Sequence, residues 1–206
     1  LVDAVAGDLV IGALGKRAAT LEVVGDWEHT SVSGKMHALT GAGLFGLATS
    51  LSTWLEPLTP IVYRGHVTRD GRKLNMRDFV RPLPSAIPLA PVILLVGTSM
   101  SAGKTTTARV VVRMLAERGL RVLACKLTGA ARYRDILSCL DVGAEYVMDF
   151  VDAGLPSTVC PESDYVPALE HLLARMAALE PDVIVAEAGA SPLEPYNGTE
   201  AYRRPA

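Results

Sequence analysis

Apolar positions along the chain follow two regimes. Before residue 81 they come in short runs broken by glycine, as in "GDLVIGALGKRAATLEVVGDW", "MHALTGAGLFGLATSLS" and "PIVYRGHVTRDGRKLNM". Runs of β-forming residues bounded by turn formers predict strands, and "RDGR" at residues 69–72 predicts a hairpin turn. The first 80 residues thus read as a small antiparallel sheet or partial barrel. After residue 91 a short apolar run is followed repeatedly by a helical one, the alternation that builds a parallel sheet with crossover helices. Strands are expected over 92–97, 121–126, 145–150 and 182–187. A helix over 104–117 places Val111, Met114 and Leu115 on one face, and one over 164–179 does the same with Leu169, Leu172, Leu173 and Met176. Asp164 is the expected N-cap of the second helix, with Pro167 tolerated in its first turn. Between the regimes, "RPLPSAIPLAP" (81–91) contains four prolines, which continue neither a helix nor a central strand, and reads as a linker. The predicted organisation is α/β: a β-rich domain over 1–80, the linker, and a parallel-sheet domain over 92–206.

Composition narrows the function classes. The 206 residues are half apolar with a net charge of −2, enough for one core plus a small satellite. Twenty Lys and Arg against twenty-two Asp and Glu give no basic excess, so a nucleic-acid partner is not expected. The apolar runs are far shorter than the ~20 residues a membrane helix needs, and no charged-then-apolar leader opens the chain; no membrane partner and a cytoplasmic location are expected. Cys125, Cys139 and Cys160 suit ordinary reduced thiols better than a disulfide framework or a metal site. His29, His37, His66 and His171 have no ligand-like spacing. The opening at Leu1 and the close at "YRRPA" are compatible with a chain that is part of a longer protein.

The chemistry concentrates where the second regime begins. Gly97, Thr98, Ser99, Met100, Ser101, Ala102, Gly103, Lys104, Thr105 and Thr106 lie between an apolar strand and an amphipathic helix. They spell G-x-x-x-x-x-G-K-T, one residue longer than the usual phosphate-binding P-loop signature. Glycines let successive amides turn toward phosphate oxygens, and the positive end of the following helix faces the same anion. Lys104 is expected to neutralise the β- and γ-phosphates and Thr105 to ligate Mg²⁺. Strand ends on the carboxyl edge of a parallel sheet converge on such a ligand, which brings in Lys126 from "ACKLTG" and Glu187 from "VIVAEAGAS". Glu187 is the expected acidic partner of the metal. In "MDFVDAG", Asp149 and Asp152 either complete the metal shell and orient a nucleophile or cap a turn. Arg132, Tyr133 and Arg134 either clamp an anionic substrate or begin an exposed helix.

The stretch "GTSMSAGKTTTARVVVRMLAERGLRVLACKLTG" resembles the opening of dethiobiotin synthetase and of the cobyrinic acid amidase group, where a P-loop, a long helix and a strand ending in Lys follow in that order. "DFVDAG" and "VIVAEAGASPLEPYNG" are similar, more closely, to an uncharacterised P-loop family that includes D-glutamate N-acetyltransferase-type proteins; the likeness covers residues 91–200. It implies a doubly wound nucleotide-binding domain in which Lys104 and Thr105 bind ATP·Mg²⁺ and Lys126 lies near the γ-phosphate or a substrate carboxylate. "AEAGAS" departs from the glutamate-glycine pair of dethiobiotin synthetase, and with no N-K-x-D guanine signal adenine is preferred by analogy. The leading expectation is an ATP- and Mg²⁺-dependent enzyme that activates a small carboxylate substrate, with Lys104, Lys126, Asp152 and Glu187 as catalytic groups and Thr105, Glu187 and Asp149 around the metal. The alternatives are an acyl-CoA-dependent N-acyltransferase and a nucleotide-driven switch or carrier. A homo-oligomer is expected because the related families often pair their P-loop faces.

Overall fold

The computed structural model describes residues 4–30, 33–83 and 90–203. Residues 84–89, most of the expected proline-rich linker, lie outside the described residues. The N-terminal part forms β1 (Ala13–Leu14), β2 (Lys16–Ala18), β3 (Val23–Asp26), β4 (Lys35–Ala38), β5 (Leu44–Leu51) and β6 (Pro60–Val62). Their sheet runs β2-β3-β5-β4-β6 with antiparallel neighbours, and β1 adds to β5 in parallel. The "RDGR" hairpin is present as β7 (Thr68–Arg69) and β8 (Arg72–Lys73), with positive φ at both Asp70 and Gly71. Two left-handed residues at a two-residue tip match the twist of the strands they join.

The second part follows the predicted alternation. Its elements are β9 (Val92–Leu95), α1 (Lys104–Ala116), β10 (Val122–Thr128), α2 (Tyr133–Leu140), β11 (Tyr146–Asp149), α3 (Glu162–Ala177), β12 (Val183–Ala188) and α4 (Gly198–Arg203). The four strands form an all-parallel sheet in the order β11-β10-β12-β9. One face packs Leu123, Cys125, Ile184 and Ala186 against Leu169, Leu172, Leu173 and Met176 of α3. The other packs Val122, Ala124, Val183 and Val185 against Ala108 and Val112 of α1 and Cys139 of α2. A sheet buried on both faces accounts for strands that read as near-continuous apolar runs rather than alternating ones. All three cysteines are free thiols. Among the described residues no helix is long and apolar enough to cross a membrane.

One expectation is corrected and one open alternative is resolved. Helix α3 begins two residues earlier than expected and its N-cap is Pro161, so Asp164 sits in the first turn and pairs with Arg77 at 2.9 Å. There, with Glu162, it meets the positive end of the helix without capping it. Residues 133–140, whose first positions were open between a clamp and a helix start, form α2, with Cys139 buried beneath it.

The two parts are packed together. Ala130, in the loop after β10, lies against the small core of Val23, Leu39 and Leu44. Tyr196 is buried and its hydroxyl accepts the Ala18 amide at 2.9 Å. Arg132, at the start of α2, reaches both carboxylate oxygens of Glu22 at 3.2 Å. The carboxyl edge of the parallel sheet therefore faces β2 and the turn that follows it.

Candidate functional site

Strand β9 ends at Leu95, and the chain enters the loop that leads to α1. Gly103 adopts φ +84° at the N-cap of α1, a left-handed conformation that suits glycine. Gly97 lets Lys104 pack closely: a Cβ there would stand 3.0 Å from the Lys104 side chain, which folds back over the loop and would have to shift slightly. Ser101 also takes positive φ, a strained conformation held within the loop. Helix α1 has no side-chain cap and no acidic residue in its first turn, whereas α3 carries Glu162 and Asp164 there. The first amides of α1 thus carry no side-chain cap, a condition under which a helix start receives an anion.

Lys104 is buried and its ammonium donates to the Ser99 carbonyl at 2.7 Å. Burial lowers its pKa, while Glu187 and Glu194 nearby pull it back up. A bound polyphosphate would supply the negative charge that this ammonium lacks at hydrogen-bond distance. The Thr105 hydroxyl donates to Glu187 Oε1 at 3.2 Å, joining the helix start to the end of β12. The sequence reaches this geometry through register: Lys126 stands opposite both Glu187 and Asp149, and Glu187 stands opposite Leu95 at the end of β9.

A cleft of about 230 Å³ collects these groups. Residues 100–105 of the loop and helix start line one side, and Lys126 and Glu187 line its floor. Of the expected phosphate-binding positions, Gly97, Thr98, Ser99 and Thr106 lie outside the lining, Ser99 acting through its carbonyl on Lys104. Lys126 points its ammonium at Asp135 of α2, a pairing that no sequence pattern predicts. Ala190, in the loop after β12, lines the cleft with φ +56°. The wall facing the P-loop comes from the N-terminal sheet, through Arg17, Ala19, Glu22 and Thr40. Arg17 is buried at the middle of β2, donates to the Leu39 carbonyl, and is paired with Glu22. No sequence pattern marks it, because a single Arg in "GKRAAT" becomes an inward charge only once strand and register are known.

Asp149 and Asp152 are not in the cleft. Asp149 lies on the far side of Lys126 from Glu187, two strand spacings and about 10 Å away along the sheet. Its carboxylate accepts the Val151 amide at 2.8 Å, and Asp152 accepts the Asp149 amide at 3.0 Å, so the pair closes its own turn. Tyr133 and Arg134 are exposed on α2, and only Arg132 of that trio reaches the cleft. Burial pushes the Asp149 carboxyl up to about 6, with the Val151 amide opposing. A folded-state pKa raised from 3.8 to about 6 means that the folded protein holds this proton more tightly. Stability is then fully present below pH ~4 and is lost as pH rises toward ~6, by at most about 3 kcal/mol. Asp149→Asn is expected to remove that loss. Its stability relative to the native chain, from urea unfolding, should rise by about 1–3 kcal/mol between pH 4 and pH 7, and a flat difference would contradict the assignment.

Mg²⁺ can be tested against the donor set. A hydroxyl and a carboxylate meeting at 3.2 Å are hard oxygen donors of the kind Mg²⁺ takes, with phosphates and water filling the remaining positions. Among the described residues no group of three or more His, Cys, Asp or Glu could hold a metal by itself. A metal shared with a bound phosphate fits this arrangement, with Thr105 and Glu187 as its protein side.

Comparison with known proteins agrees with this geometry. Residues 87–201, more than half of the chain, match a family model described as a domain of unknown function (DUF1611_C), P-loop domain. Searches of curated proteins and of solved structures gave no match. The strand, glycine loop and uncapped helix start around Lys104 lie inside the matched region, and the chain belongs to this P-loop family.

Proposed function

We propose that the protein is an ATP- and Mg²⁺-dependent enzyme that activates a small carboxylate by phosphoryl transfer, in the manner of a ligase. One observation carries the reading: the uncapped start of α1, with Lys104 and the Thr105–Glu187 pair, opens into a cleft whose opposite wall carries arginines. The loop amides and Lys104 would bind the β- and γ-phosphates and hold the charge that shifts onto the bridging oxygen as the bond to ADP breaks. Mg²⁺, when bound, would neutralise the same oxygens. The acceptor carboxylate oxygen attacks the γ-phosphorus, the bond to the bridging oxygen breaks, and an acyl phosphate and ADP result. Lys126, held by Asp135 on the floor of the cleft, would lie beside the transferred group. The cleft is smaller than the ~300–1,000 Å³ typical of pockets that swallow a whole ligand, so a phosphate tail and a small acid fit it better than a complete nucleotide.

A second reading, acyl transfer from an acyl-CoA to an amine, follows the resemblance read from "DFVDAG" and "VIVAEAGASPLEPYNG" in the sequence. The same cradle would then grip the diphosphate of CoA. Calorimetry against ATP, GTP and acetyl-CoA, with and without Mg²⁺, separates the two, followed by assays of ADP and of free thiol over a panel of small acids. ATP binding at micromolar strength that requires Mg²⁺, with acid-stimulated ADP release, supports the first. Thiol release without ATP consumption overturns it in favour of the second.

A further inference from the structure

The wall opposite the P-loop poses a separate question, because it buries charge that the phosphate cradle does not use. Arg17 is 9% exposed, yet it is a guanidinium at the middle of a strand, where an apolar side chain would cost nothing to bury. Burial lowers its pKa, Glu22 offsets that, and Arg132 adds to the lowering. Glu22 is gripped by Arg17 from the N-terminal sheet and by Arg132 from the start of α2, so one carboxylate serves two guanidinium groups. Beside them stands Thr40, 7% exposed, next in sequence to the Leu39 carbonyl that Arg17 holds. Among the described residues its hydroxyl oxygen is buried without a hydrogen-bond partner. An unmatched buried hydroxyl costs about 1–3 kcal/mol, and this one stands at the cleft beside the arginines. Arg17, Glu22, Thr40 and Arg132 all line the cleft.

We propose that this wall is a carboxylate-binding site in which Arg17 and Arg132 grip a carboxylate of the acceptor, Thr40 donates to it, and Glu22 is the internal competitor it displaces. The inference rests on the acceptor being a carboxylate, as in the function proposed above, and it names the residues that select it. Two guanidinium groups match the flat, two-oxygen face of a carboxylate, and an amide of the same shape would lack the charge they require. Because one arginine comes from each part of the chain, the acceptor would also hold the two parts at a fixed separation.

The test uses propionate and propionamide as probes, read by ¹⁵N NMR of the arginine Nε–Hε signals on the intact chain with ADP·Mg²⁺ present. Saturable shifts of Arg17 and Arg132 are expected with propionate and none with propionamide. Glu22→Gln, which removes the competitor's charge at a position whose side chain is 25% exposed, is expected to bind propionate about fivefold more tightly. Arg132→Gln, with its side chain 47% exposed, is expected to bind about fivefold more weakly. Thr40→Val keeps the shape and removes the unmatched oxygen; it is expected to bind about threefold more weakly while melting no lower than the native chain. A purely structural role for these groups would move melting temperature and leave probe affinity alone. Equal propionate affinity in all four proteins, a response to propionamide equal to that for propionate, or no saturable arginine shift overturns the proposal. ATP·Mg²⁺ affinity of the native chain, measured separately without ADP, keeps the two readings apart: its absence would strike the proposed function, whereas its presence with no arginine response to propionate would overturn only the carboxylate site.

Discussion

Replacing Lys104 by alanine is expected to weaken ATP·Mg²⁺ binding at least tenfold without lowering the melting temperature. The ammonium is buried, burial lowers its pKa, and its hydrogen bond goes to a neutral carbonyl, so the folded protein without a phosphate gains little from it. A charge-assisted contact to phosphate is worth about 1.5–3 kcal/mol, and 1.4 kcal/mol corresponds to tenfold in affinity. The two readouts therefore move in different directions: calorimetric affinity falls while thermal stability holds or rises. Loss of both together would mean that Lys104 supports the fold rather than the ligand.

Glu187→Gln is expected to lower Mg²⁺-dependent ADP release about 10²–10³-fold, or ~2.7–4 kcal/mol, the range found when one group serving transition-state charge is removed. The amide keeps an oxygen for the Thr105 hydroxyl, so the local hydrogen bond at 3.2 Å survives and the charge alone is lost. Half-saturation for Mg²⁺ should move upward. Affinity for ATP without Mg²⁺ should hold or tighten, since a buried negative charge no longer faces the phosphates. A variant that releases ADP at the native rate with an unchanged Mg²⁺ requirement would remove Glu187 from the metal.

Legibility in the sequence followed the range of the physics involved. The parallel sheet was readable because strands buried on both faces must be apolar throughout and their helices must carry an apolar stripe, both local signals. Strand ends shifted by one or two residues, as at β10, which runs to Thr128 where 126 was expected. That Lys104, Thr105 and Glu187 come together at one cleft was readable because the loop signature and the carboxyl-edge rule are local to strand ends and the loops that follow them. Lys126 was found, but its partner was not: Asp135 comes from a helix that begins at Tyr133, after a loop whose path no local pattern fixes. Arg132 carried a clamp-or-helix reading from the sequence, but the rest of the wall was invisible because Arg17 and Thr40 reach the cleft only through the packing of the N-terminal sheet against the strand ends. Asp149 and Asp152 show the opposite error, since chemistry-bearing residues at a strand end were close in sequence to the expected edge yet close their own turn one strand too far out.

All of the proposed chemistry depends on the amides of residues 101–105 and the Lys104 ammonium forming a receptor for a polyphosphate. A crystal structure with a non-hydrolysable ATP analogue and Mg²⁺ tests it most directly. Phosphate oxygens are expected within about 3.2 Å of those amides and of Lys104, with the metal between Thr105 and the phosphates on the Glu187 side. A nucleotide held elsewhere, with these amides turned toward solvent, would contradict it.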